Sequence, residues 1–167
     1  MIVNLKWEYV DNNTAMIELP AEVTKEGRKK RIPINHHVQS VLNQSIKCLH
    51  HDYVITYKGD SLKEGSSIRK SFTQACKQVG IPYGTTVKGG ITPRDIRTTV
   101  KTNMLKAEVG KTFRDIILGH SLKGMDAYYI KPDDDSLKKA MEKYTKWIDS
   151  QLNELNNLKK VGETPGE

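Results

Sequence analysis

The sequence predicts an α+β domain that is mainly helical, with a small antiparallel sheet near its N-terminus. Three observations carry this. Within the first 34 residues, two short strand-like runs flank a basic, glycine-containing turn. From residue 36 onward most apolar residues recur three and four apart, the spacing of a helical face. Between those faces stand cap and stop residues: Thr92-Pro93 opens one helix and Gly119 closes another. With 167 residues the chain fits one domain with a buried core, expected over 1–155, followed by a polar, disordered tail over 156–167.

Taken in order, Ile2, Val3, Leu5 and Trp7 are spaced like the end of an amphipathic helix. Asp11-Asn12-Asn13 is turn chemistry, and 14–19 reads as a strand with Ala15, Ile17 and Leu19 on one face. The run 24–31 (Thr-Lys-Glu-Gly-Arg-Lys-Lys-Arg) is a basic tip, and Ile32-Pro33-Ile34 is the return strand of a hairpin aimed at an anion. A helix follows through Val38, Val41, Leu42 and Ile46, then a short strand at Tyr53-Val54-Ile55 and a polar turn at Lys58-Gly59-Asp60. Ser66 or Ser67 caps a helix carrying Ile68, Phe72, Ala75 and Val79 on one face, stopped by Gly80. The glycine-rich loop 83–90 leads to the helix begun by Thr92-Pro93, with Ile96, Val100 and Met104 facing inward. Phe113, Ile116 and Ile117 lie on the next helix, and a short one holds Tyr128 and Tyr129 before Pro132 breaks it. From Ser136 about five helical turns carry an apolar stripe of Leu137, Met141, Tyr144, Ile148, Leu152 and Leu155.

Composition narrows the class. Lysine and arginine number 27 against 20 acidic residues, a net charge of +7 that favours polyanions such as nucleic acid or an anionic membrane surface. Two cysteines, Cys48 and Cys76, make no disulfide framework and fit a reducing compartment. No apolar run reaches the roughly 20 residues that span a bilayer, and the N-terminus is not a signal peptide, so a cytoplasmic protein with no membrane partner is expected.

Chemistry concentrates in 92–129. Arg94 and Arg97, three apart, share a face near a helix N-terminus, where free N–H groups and guanidinium forks both favour phosphate. His120 follows the terminating Gly119, and Tyr129 lies nine residues further on. Each has a plain structural reading alone: solvated arginines, an exposed histidine, a core tyrosine. One of Tyr128 and Tyr129 must simply pack, because neighbours on a helix point apart.

As a linked set these residues resemble the tyrosine recombinase (phage integrase) family, whose catalytic domain carries a His-x-x-Arg pair, a downstream Leu-Gly-His and a nucleophilic tyrosine nine residues past that histidine. Here the matching positions are Arg94 and Arg97, Leu118-Gly119-His120, and Tyr129. Thr24-Lys25 with Gly27, Arg31 and Ile32-Pro33 looks like the family hairpin, which places Lys25 at the catalytic lysine, and the likeness spans about residues 2–150. The resemblance implies double-stranded DNA as partner, cleavage and rejoining through a 3′-phosphotyrosine, and no metal or cofactor. In that family the C-terminal segment docks on another recombinase protomer, and the apolar stripe from Ser136 fits either such docking or an ordinary packed helix of the domain. Two departures stand out: the first position of the pair is Arg94, which cannot act as a base near neutral pH, and the family's first arginine falls upstream of residue 1. Poor recombination by this chain alone is therefore expected, and a non-catalytic DNA-binding or regulatory integrase-like protein is the alternative reading. Gly110-Lys111-Thr112 is not a phosphate loop, because Leu105 stands where glycine is required. Cys48, His50 and His51 lack a second ligand pair at zinc-finger spacing.

Overall fold

In the computed structural model, the described residues are 5–45, 52–57, 60–62, 66–120, 122 and 133–162. A three-stranded antiparallel sheet, β1 (Val10–Asp11), β2 (Met16–Leu19) and β3 (Lys30–Pro33), stands near the N-terminus in the order β1-β2-β3. The helices are α1 (His36–Ser45), α2 (Ser66–Gln78), α3 (Pro93–Lys106), α4 (Lys111–Ile117) and α5 (Asp134–Gly162), and a two-residue hairpin pair, β4 (Thr56–Tyr57) and β5 (Asp60–Ser61), precedes α2. The α+β class is as expected from sequence. No helix among the described residues is long and apolar enough to cross a membrane.

The β1–β2 turn corrects one strand boundary. Asp11 accepts hydrogen bonds from the Asn13 N–H (2.9 Å), the Thr14 N–H (3.2 Å) and the Thr14 hydroxyl (2.7 Å), and Ala15 takes φ +51°. Local side-chain bonding thus draws Thr14 and Ala15 into the turn, and the strand starts at Met16. It pairs with β3 as the expected hairpin, Met16 opposite Pro33 through Leu19 opposite Lys30, but the return strand is Lys30–Pro33 rather than 32–34, so Lys30 and Arg31 belong to the strand and not to the turn. The ten-residue connection includes a 3-10 turn at Ala21–Val23 and is held by Thr24, whose hydroxyl donates to the Arg28 carbonyl at 2.8 Å and accepts from the Arg28 N–H at 3.0 Å.

The sheet is covered on both faces. Met16, fully buried, joins Met104 of α3, Ala107 and Val109 of the following turn, Ile117 of α4, and Leu137, Ala140 and Tyr144 of α5 in the main core. Ile17, Leu19 and Ile32 instead line an apolar cavity shared with Val38 and Leu42 of α1 and with Val54. Arg31 ties sheet to helix, reaching Glu18 on β2 at 2.7 Å and Asp134 on α5 at 2.5 Å.

Other expectations shift. The stretch 5–7 is not the end of an α-helix but pairs with 52–54: Lys6 bridges Tyr53, and the Trp7 N–H donates to the Asp52 carbonyl at 2.9 Å. A 3-10 turn, Trp7–Tyr9, follows, while Ile2 and Val3 lie outside the described residues, as does Ile46. The strand expected at 53–55 reduces to that bridge, with regular pairing only at β4. On α2 the buried residue is Cys76, a free thiol, whereas Ala75 and Val79 are exposed. Ile96 is 52% exposed, because the first turn of α3 projects past the core that Met104 fills. The apolar stripe of α5 is packed as far as Ile148, but Leu152, Leu155 and Leu158 are exposed. That helix continues to Gly162, so 156–162 is helical rather than tail, since its leucines keep the three-residue spacing. Residues 163–167 lie outside the described residues.

Candidate active site

The start of α3 is fixed locally. Asp95 accepts from the Thr92 N–H at 2.8 Å and the Thr92 hydroxyl at 2.7 Å, and Pro93 occupies the first turn, where no N–H is needed. The Thr92 bonds hold the Asp95 carboxyl below its ordinary pKa, so this acid is committed to the cap. Upstream, Gly90 is required: a Cβ there would lie 2.3 Å from the Gly84 carbonyl oxygen.

From this helix end Arg94 points to solvent, while Arg97 crosses to α4 and donates a hydrogen bond from Nη2 to the Leu118 carbonyl. The receiving turn closes α4. Gly119 takes φ +69°, and the N–H of Gly119 and that of His120 return to Ile116 (2.8 Å) and Asp115 (2.7 Å). A second cation reaches the same turn from the sheet: Lys30 Nζ donates to the Gly119 carbonyl at 3.2 Å while paired with Glu26 at 2.5 Å. The turn 118–120 is therefore where α3, α4 and the hairpin meet.

His120 is oriented by Asp115, whose Oδ1 lies 3.3 Å from Nδ1. A proton on Nδ1 donated to that carboxylate leaves Nε2 for another partner. Asp115 is buried and also faces Lys111 at 3.2 Å and Lys101 at 3.5 Å. Burial pushes its carboxyl pKa up, but the hydrogen bonds from Lys111 and His120 and the charges of Lys111 and Lys101 outweigh that, and the net shift is downward. A lowered folded pKa means the stabilisation is present above the unfolded value, 3.8, and is lost as pH falls through the folded one. Asp115→Asn keeps the shape and removes the charge. It is expected to cost about 2 kcal/mol at pH 7, by analogy with hydrogen bonds to charged groups, and the gap from the parent closes in strong acid. Urea unfolding of both chains at pH 7 and pH 3 checks this; an equal gap at both pH values would refute it.

Beside the turn lies a cleft lined by Glu26, Arg28, Lys29, Lys30, Arg31 and Ile116, with Gly119, His120, Leu122 and Leu137 completing it. Lys29 and Arg31 pair with Glu18 across the sheet. Lys25 and Arg28, at the hairpin tip, are exposed and carry no ion pair among the described residues. The structure thus brings Arg97 and His120 to one turn and leaves Arg94 and Lys25 exposed, without a direct bond to that turn. Tyr129 lies outside the described residues. Sequence reasoning missed two supports, Lys30 and Asp115. Only the second left a signal: Lys111, Asp115 and His120 at spacings of four and five around a helix end.

A basic, mainly helical domain that gathers arginine and histidine beside a hairpin of cations has the features of a protein that handles a phosphodiester backbone. The sequence model of the Phage integrase family matches residues 1–136. The chain belongs to that family, and so to the proteins of site-specific DNA recombination, which bind DNA. No curated protein matches its sequence.

Proposed function

We propose that this chain cleaves and rejoins DNA, at an impaired rate, through a 3′-phosphotyrosine, with Tyr129 as nucleophile. The observation that supports this best is the bond from Arg97 to the Leu118 carbonyl, which draws together residues 21 apart and sets one guanidinium beside the turn bearing His120. In the proposed step the Tyr129 hydroxyl gives up its proton to solvent as its oxygen attacks phosphorus, a new P–O bond forms, and the bond to the 5′-oxygen breaks. Lys25 delivers a proton to the departing oxygen, a contribution of roughly 10² to 10⁴ in rate for general acids. A free phenol ionises near about pH 10, so cations must favour the developing phenolate and the charge on the phosphorane. Arg97 and Arg94 supply that positive charge and His120 a further hydrogen-bond donor; four of the five guanidinium N–H groups of Arg97 remain free of the Leu118 carbonyl. A 5′-hydroxyl then reverses the step, and because the link conserves the phosphodiester's energy, neither nucleotide nor metal takes part.

The outer half of α5, with Leu152, Leu155 and Leu158 exposed, is the surface we assign to another recombinase protomer. The second reading, a non-catalytic DNA-binding or regulatory relative, is supported by Arg94 in the place of the family's histidine. A nicked trapping duplex, on which cleavage releases a short fragment that cannot religate, separates the two readings and accumulates even slow cleavage. The expected result is a denaturant-resistant adduct on the 3′ side of the break, formed equally in EDTA. Duplex binding with no adduct would replace the proposal with the regulatory reading.

A further inference from the structure

His36, His37 and Asp149 belong to none of the groups above, yet they converge. His36 Nε2 lies 3.4 Å and His37 Nε2 2.9 Å from the same oxygen, Oδ1 of Asp149, and the two imidazole rings are 4.0 Å apart. One ligand atom from each of the three residues can be chosen so that all lie within 4.8 Å of one another. We propose that these three side chains bind a zinc-class divalent transition-metal ion, which links the first turn of α1 to α5.

The donor set decides the class of ion. Two imidazoles and one carboxylate suit zinc, cobalt or nickel, whereas magnesium and calcium demand oxygen ligands. Bonds of about 2.0–2.2 Å at tetrahedral angles hold ligand atoms roughly 3.3–3.5 Å apart. The His36–Asp149 separation already meets that spacing, and His37 needs to retreat by a few tenths of an ångström. Three protein ligands leave a fourth position for water. The side chains, 62%, 40% and 38% exposed, give the ion and that water open access.

The frame beneath the cluster is fixed independently of any ion. Asn35 Oδ1 accepts from the Val38 N–H at 2.9 Å, holding the first turn of α1, and its Nδ2 donates to the Thr145 hydroxyl at 3.0 Å. Thr145 is buried and bonded to the Met141 carbonyl at 2.8 Å, one helical turn before Asp149. The two backbones are therefore positioned before a metal arrives, and the residues joined are 112 apart in sequence.

The test uses the full chain stripped with EDTA. Titration with Co²⁺ is expected to give one equivalent of binding with visible d–d bands of a low-coordinate site and no thiolate charge-transfer band, and Zn²⁺ is expected to compete for it and raise the melting temperature. His36→Gln, His37→Ala and Asp149→Ala each weaken binding by about tenfold or more, extending to ligands the range seen for their outer-shell partners. Each variant's circular dichroism without metal is expected to match the parent, so that lost binding is not lost folding. A Cys48→Ser/His50→Ala/His51→Ala chain retains the site. Absence of binding at millimolar metal overturns the proposal, as does affinity that survives at His36, His37 and Asp149 but disappears with the 48–51 substitutions.

Discussion

Tyr129→Phe yields no covalent adduct on the trapping duplex, while its affinity for the same duplex stays within about twofold of the parent. Phenylalanine keeps the ring and removes the only atom that can bond to phosphorus, so the loss is complete rather than graded. Affinity rests on other groups. Lysines and arginines neutralise phosphates and release counterions, and this is unchanged, so the slope of binding against salt is expected to be the same in both chains. The neighbouring residue provides the control: Tyr128→Phe retains the adduct, because the nine-residue spacing from His120 selects Tyr129. A Tyr129→Phe chain that still forms the adduct would remove Tyr129 from the chemistry, and loss confined to Tyr128→Phe would move the nucleophile by one residue.

Arg97→Ala lowers the single-turnover rate of adduct formation by about 10² to 10³, the effect of deleting one donor to developing negative charge, or roughly 2.7–4 kcal/mol of transition-state stabilisation. Two losses combine: a guanidinium fork that grips phosphate oxygens, and the bond that holds α3 to the turn carrying His120. Lysine at position 97 is expected to recover little, since it offers a point charge on a flexible stem in place of a planar fork. Arg94→Ala is expected to have a smaller effect, because Arg94 makes no bond to that turn in the structure. Rates on the trapping duplex, with binding measured separately, check both variants. An Arg97→Ala rate within twofold of the parent would sink the assignment.

Much of this site was legible in the chain because its signals are local. Thr92, Pro93 and Asp95 specify a helix start within four residues, and Gly119 specifies a stop by its left-handed φ. The hairpin itself was equally readable, since its strands are adjacent in sequence, although both strands begin two residues away from where the sequence placed them. Errors fell where a distant partner decided the outcome. Ile96, Val100 and Met104 form one row on α3, yet Met104 is fully buried and Ile96 half exposed, because the core from β2 and α5 covers only part of the helix. The stripe on α5 divides in the same way after Ile148.

The α+β class, the basic hairpin and the helix starting at Thr92-Pro93 were written in the sequence alone. Tertiary structure alone decided that Lys30, 89 residues away, caps the Gly119 carbonyl, that Arg97 closes on Leu118, and that two histidines of α1 meet Asp149. The physical reason is range. Caps, turns and periodicity are energies of a few neighbouring residues and are written in their order, whereas burial and side-chain meetings depend on which remote surfaces the packed core brings together.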